Sequence, residues 1–171
     1  MPFTPFHFGP AAAVKAALGR RFSFSVFVFS QVLIDVEPGL RMLAGADELH
    51  PHLHTYVGAT AVALLSVLPG RRICEWALRF WNRNLSEQQA RWLGVDPAIP
   101  PLAAWCGALI GAYSHIVLDS IMHADLRPLA PFSAQNRLLH LLSIGDLHLL
   151  CIVLGMIGIA ALAVLRWRKL K

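Results

Sequence analysis

Charged side chains are scarce in this chain. Asp, Glu, Lys and Arg make up 15% of its 171 residues, against 56% hydrophobic, where soluble domains carry about 25% charge. That shortage argues for a membrane protein. Cysteine is sparse too. Cys74, Cys106 and Cys151 are far apart, so they build neither a disulfide framework nor a Cys-x2-Cys metal pair and read as small buried hydrophobes. The stretch from Met1 to Phe8 lacks the basic region of a cleavable signal peptide, so the apolar spans are expected to carry the targeting information. There is no GxSxG elbow, Walker loop, GxGxxG turn or internal repeat. Serine-hydrolase, NTPase and dinucleotide-binding chemistry therefore have no foothold.

What remains is a series of apolar runs. Length fits one domain over residues 1–171. Pro2 to Pro10 is expected to enter extended, followed by a short helix over about Ala11–Leu18. Phe22–Val36 reads as a helix rather than a strand, because an open sheet edge is not viable in lipid. Glu37–His50 is polar and broken by Pro38 and two glycines. Pro51 fits the first position of the next helix, with His50 at its N-cap and Pro69-Gly70 at its end. Between residues 71 and 99, five arginines alternate with Trp76, Phe80, Trp81 and Trp92, the pattern of a basic amphipathic helix in the membrane interface. Pro100-Pro101 opens a span that carries Gly107 and Gly111 at the spacing for close helix approach. An amphipathic piece over Ala134–Leu142 precedes the last span, Leu147–Leu165. The expected fold is an all-α helical membrane bundle with about four to five membrane-associated helices and one interfacial basic helix.

Charge then orients the bundle. If 8–19, 22–36, 51–69, 101–119 and 147–165 alternate in direction, one side collects twelve of the 15 basic residues: Lys15, Arg20, Arg21, the five arginines of 71–99, Arg166, Arg168, Lys169 and Lys171. By the positive-inside rule that side, with the C-terminus, faces the cytoplasm. This distribution accounts for the net charge of +5 without nucleic acid. It also leaves His7, Asp35, Glu37, His50, His52, His54, His115, Asp119, His123 and Asp125 together at the outer end.

Those residues carry the chemistry. His115, Asp119 and His123 are four apart and share one helical face, and ionisable groups at such a depth need a partner, an ion or a water-filled cavity. Imidazoles with carboxylates suit a divalent metal, zinc first, with manganese or iron as alternatives. The candidate ligands are His7, Asp35, His50, His54, His115 and Asp119. Glu37 and Asp125 are the candidates to orient a nucleophilic water. His123 and Asp125 read as readily as groups that support the ligands or cap a loop as they do as ligands themselves. His52, His140, Asp146 and His148 are expected at the surface or the interface.

In order along the chain, Thr4-Pro-Phe-His7-Phe-Gly-Pro, Ile34-Asp35-Val-Glu37-Pro38, His50-x3-His54-Thr55, His115-Ile-Val-Leu-Asp119 and Pro128-Leu-Ala-Pro-Phe resemble the YdjM-like bacterial inner-membrane proteins. These are described as membrane-bound metal-dependent hydrolases, some under LexA control. Where that family has Pro-Asp-x-Asp-His, this chain has Ile34-Asp35-Val-Glu37-Pro38. Where it has His-Arg-Gly-x-Thr-His-Ser, this chain has His50-Pro-His-Leu-His54-Thr55. The ligand pattern is also similar to that of zinc-dependent phospholipase C, an all-helical trimetal enzyme with a His-x3-Asp pair.

The resemblance implies a bacterial inner-membrane metal-dependent hydrolase; the charge distribution puts its metal site at the outer face, and that head-group depth suggests an ester or phosphoester substrate. Its partners would be membrane lipid and a small-molecule or lipid-linked substrate. The alternative from another class is a non-enzymatic membrane protein with a structural or sensory metal site. A metal or proton transporter would need polar residues through the membrane thickness, and here they gather at one end.

Overall fold

Six helices and no strand make up the described residues, 5–171, of the computed structural model. A 3-10 turn, Pro5–His7, leads into α1, Phe8–Leu18. The expected extended entry is therefore already wound by Pro5, and Pro10 sits in the first helical turn, where its missing N–H breaks no hydrogen bond. Residues 1–4, including Thr4 of the N-terminal motif, lie outside the described residues.

Ser23 caps α2, Phe24–Leu43, by accepting a hydrogen bond from the Val26 amide. The helix does not stop at Val36. It runs through Glu37, Pro38 and Gly39, with Pro38 buried, because packing on neighbouring helices outweighs the local breaking tendency of proline. Residues 50–55 form turns rather than a helix begun at Pro51. Thr55, not His50, is the cap, its hydroxyl accepting from the Gly58 amide at 2.9 Å.

The next helix, α3, is a single element over Tyr56–Arg83. Pro69-Gly70 was expected to end it. Instead a π turn over Ser66–Gly70 absorbs the proline, since the wider turn relieves the i→i−4 ladder where proline has no donor. Gly70 leaves room for the Phe29 ring of α2, which packs where a Cβ would stand. The basic stretch is thus split: Arg71–Arg83 continues α3, and α4 is a short capped helix, Glu87–Leu93. Arg166 ties α4 to the chain's last helix by donating to the carbonyls of Ala90, Arg91 and Gly94.

Pro101 opens α5, Pro101–Met122, as anticipated. The stretch 134–142 forms turns instead of an amphipathic helix, with the Asn136 side chain donating to the Ser120 carbonyl at 2.8 Å. Ser143 caps α6, Ile144–Leu170. Three helices, α3, α5 and α6, are long and apolar enough to cross a membrane. The 11-residue α1 rises only about 16 Å and cannot cross the ~30 Å hydrocarbon layer.

Two small-residue contacts set the architecture. Gly107 and Gly111 of α5 lie against the backbone of Ser23 and Phe27 and against the Ser30 hydroxyl of α2. Each helix buries one continuous stripe there: Val26, Phe27, Ser30, Gln31, Ile34 and Asp35 on α2, and Gly107, Ala108, Gly111, Ala112, His115 and Asp119 on α5. The small halves of the stripes draw the helices together, and the polar halves meet at the far end. In the second contact, Gly9 and Ala12 of α1 press on Cys151, Gly155 and Gly158 of α6. That contact holds His7, at the head of α1, in reach of α5. Only 22% of the most apolar stretch of α6 is buried within the chain, which leaves the rest as an exposed apolar surface.

A Gly111→Leu substitution is expected to destabilise the fold by about 1–3 kcal/mol through overpacking against Phe27 and Ser30. Gly39→Ala, where a Cβ meets nothing within 4 Å, is expected to gain about 0.5–1 kcal/mol from helix propensity. Thermal unfolding in detergent reads both.

Candidate metal centre

The polar halves of α2 and α5 converge with the loop before α3. Asp35, His54, His115 and Asp119, all buried, place one ligand atom each within 4.8 Å of one another. The Nε2 atom of His115 stands 3.1 Å from Asp119 Oδ2 and 3.3 Å from Asp35 Oδ1. The Nε2 atom of His54 stands 3.4 Å from Asp119 Oδ2 and 3.8 Å from Asp35 Oδ1. These separations bracket the spacing of ligands around one ion. Tetrahedral bonds of 2.0–2.2 Å put neighbouring donors about 3.3–3.6 Å apart. In agreement, both ring nitrogens of His54, Nε2 of His115 and Oδ1 of Asp119 are buried with no hydrogen-bond partner among the described residues. Each such atom costs about 1–3 kcal/mol if left unsatisfied, and a divalent cation satisfies several at once. This buried His/Asp cluster could hold a metal ion.

A second group shares Asp119. His50, Asp119 and His123 also bring ligand atoms within 4.8 Å of one another. The two groups are stitched by ring contacts: His50 meets His54 edge-on at 4.5 Å between centroids and tilts against His123 at 4.9 Å. His7 stands beside the clusters, its Nε2 atom 3.4 Å from Asp119 Oδ1 and its ring edge-on to His115 at 5.0 Å. Burial pushes the His7 imidazole down to about 4, with the Asp119 carboxylate opposing. His123 is lowered by burial as well. Both are therefore neutral near pH 7, the form in which imidazole binds a metal.

Of the candidate ligands, Asp35, His54, His115 and Asp119 fall in the first group and His50 in the second, while His7 flanks them. The two carboxylates considered for water activation are placed differently. Asp125 accepts from Nδ1 of His50 at 2.8 Å and is about half-exposed. Burial would raise its carboxyl, but the hydrogen bond and charge of His50 hold it below its ordinary value. Glu37 lies outside both groups: it accepts from the backbone amides of His52 and Leu53 and pairs with the His52 ring at 2.9 Å. It fixes the 50–54 turn from α2. His52 is exposed as expected, whereas His148 is half-buried and stacked on Phe6.

Sequence reasoning overlooked Gln31. Its side-chain oxygen meets Nδ1 of His115 at 2.6 Å, while its amide nitrogen donates to the Gly111 carbonyl at 3.0 Å. The oxygen can only accept, so Nδ1 carries the proton and the Nε2 lone pair is turned toward Asp35 and Asp119. The signal was its position, four residues before Asp35 on the same face of α2. Comparison of the chain with protein-family models, curated proteins and solved structures finds no match.

Gln31→Leu keeps every ligand but frees the His115 ring, and is expected to weaken metal binding about 10–100-fold. Competition against a chelator on the purified protein measures it; an unchanged affinity would remove Gln31 from the site.

Proposed function

We propose that the chain is a membrane-bound, divalent-metal-dependent hydrolase that cleaves an ester or phosphoester at the membrane surface. The observation that carries this reading is the pair of ligand groups joined through Asp119. The group of Asp35, His54, His115 and Asp119 supplies four protein ligands and is buried. The group of His50, His123 and Asp119 supplies three, beside the exposed Asp125. Three protein ligands leave a coordination position for water or substrate, which distinguishes catalytic from structural sites.

A divalent ion at such a site supplies Lewis acidity and a bound water of lowered pKa. The chain's own part follows from its side chains. Asp125 takes the Nδ1 hydrogen bond of His50 and turns Nε2 toward the group, and its ionised carboxylate is the proton acceptor for the attacking water. Glu37 acts at one remove, by fixing the turn that carries His50 and His54. His7 closes the inner side of the site at the head of α1. Zinc suits this mixed nitrogen and oxygen set, with manganese or iron as alternatives.

The family reading and the membrane orientation belong to the same proposal. The ordered motifs support membership of the YdjM-like inner-membrane proteins. The segregation of twelve basic residues to the end remote from the His/Asp cluster supports an outer-facing site and a cytoplasmic C-terminus. A site at head-group depth favours a lipid-linked substrate. One observation favours a second reading: four buried protein ligands around one point also describe a closed structural or sensory metal site.

The two readings part on paired measurements, elemental analysis and hydrolysis of ester and phosphodiester substrates in mixed micelles. The hydrolase reading expects Asp119→Ala to lose all bound metal, and His54→Ala to lose the buried ion. His50→Ala should retain one ion but lose hydrolysis by at least 100-fold, about 2.7 kcal/mol in the barrier. Stoichiometric metal with no turnover of any substrate would favour the structural reading. No metal after repletion would sink both.

A further inference from the structure

The end of the bundle opposite the His/Asp cluster holds a cavity of about 500 Å³. It lies where the end of α1, the start of α2, the second half of α3 and the loop before α5 converge, and its lining includes Lys15, Arg20, Ser25, Trp81, Asp96 and Ile99. Its volume is in the range of small-molecule sites, and its walls are mostly apolar with a few polar groups near Lys15. We propose that this cavity binds the head group of an anionic phospholipid, with the apolar walls receiving the first part of an acyl chain. The inference is independent of the metal site.

Lys15 is the central observation. It is half-buried, and its ammonium donates to the carbonyls of Gly19 at 2.9 Å and Phe22 at 2.7 Å. An ammonium has three donors, so one remains for a ligand. Among the described residues no carboxylate lies within ion-pair distance of Lys15, although a cation held part-buried beside a membrane calls for an anion. Arg20 adds a second positive charge at the rim. Its contact with Asp96 is 3.9 Å between exposed side chains, too loose and solvated to neutralise it. Asp96 also accepts from the Ala98 amide at 3.0 Å, which occupies one of its oxygens within its own loop. The cavity thus presents a net positive rim over an apolar interior, beside the exposed indole of Trp81. Basic pockets between helices at the membrane surface are the recognised form of acidic-lipid sites, and tryptophan is enriched at that depth. A free anion would have no use for the apolar walls.

The test is native mass spectrometry of the full chain in detergent, titrated with phosphatidylglycerol and phosphatidylcholine of identical acyl chains. The intact protein is expected to retain phosphatidylglycerol at least tenfold better. A Lys15→Gln/Arg20→Gln variant is expected to bind both lipids equally. Ala98→Trp, an exposed wall position that leaves the capping role of Lys15 untouched, is expected to lower retention of phosphatidylglycerol by a similar factor. Arg168→Gln, at the same basic end but outside the cavity, should change it less than twofold. Equal retention of the two lipids by the intact protein would overturn the proposal. So would a loss in Arg168→Gln as large as in Ala98→Trp, which would indicate diffuse surface charge. Displacement of the lipid by equimolar inorganic phosphate would reassign the cavity to a free anion and overturn it as well.

Discussion

Asp119 is the constraint around which the bundle is arranged. Its carboxylate is buried near the end of α5, where it faces His115 of the same helix and His7 and His54 from two other parts of the chain. Moving a carboxylate and several imidazoles out of water is costly unless their charges and lone pairs find partners. The hydrogen bonds that could do so are not formed: the ring nitrogens of His7 and His54 are buried without partners among the described residues. A divalent cation could resolve that conflict in one step. Such an ion would bind neutral imidazole, neutralise carboxylate and fix the spacing among the three chain segments that supply Asp35, His54, and His115 with Asp119.

The helix packing can be understood as what such a cluster requires. Side chains as short as aspartate reach a common point only if their helices lie close. Glycine, alanine and serine supply that closeness along the α2–α5 contact, and glycine and alanine do so between α1 and α6. The ligand-bearing residues then continue the same buried stripes, so packing and chemistry follow one helical period. At the other end the helices diverge around the cavity lined by Trp81, where Lys15 and Arg20 outnumber the one carboxylate, Asp96. The molecule is polarised along its length, with a metal-ligand end and a cationic end.

Much of this was legible in the sequence because its signals are periodic. The i, i+4 spacing of Gly107, Gly111, His115 and Asp119 predicted both the close approach and the buried face that carries the His/Asp cluster, and the low charge content predicted the long apolar helices. The misreadings came from local rules overruled by packing. Pro38 and Pro69-Gly70 looked like helix ends, yet α2 runs through the first and a π turn carries α3 through the second. Pro51 looked like a helix start, yet Thr55 caps the helix. Contacts distant in sequence were beyond reach. The bond between Gln31 and His115, the pairing of His123 with His50 and the turn held by Glu37 depend on how helices dock, and no local pattern encodes that.

The most direct test of the metal centre is X-ray absorption at the zinc edge on zinc-repleted, detergent-purified protein. The account predicts nitrogen and oxygen neighbours at about 2.0–2.2 Å with the multiple-scattering signature of several imidazoles, and no sulfur near 2.3 Å. A fully hydrated ion without imidazole scattering, or a sulfur shell from the cysteines, would contradict it.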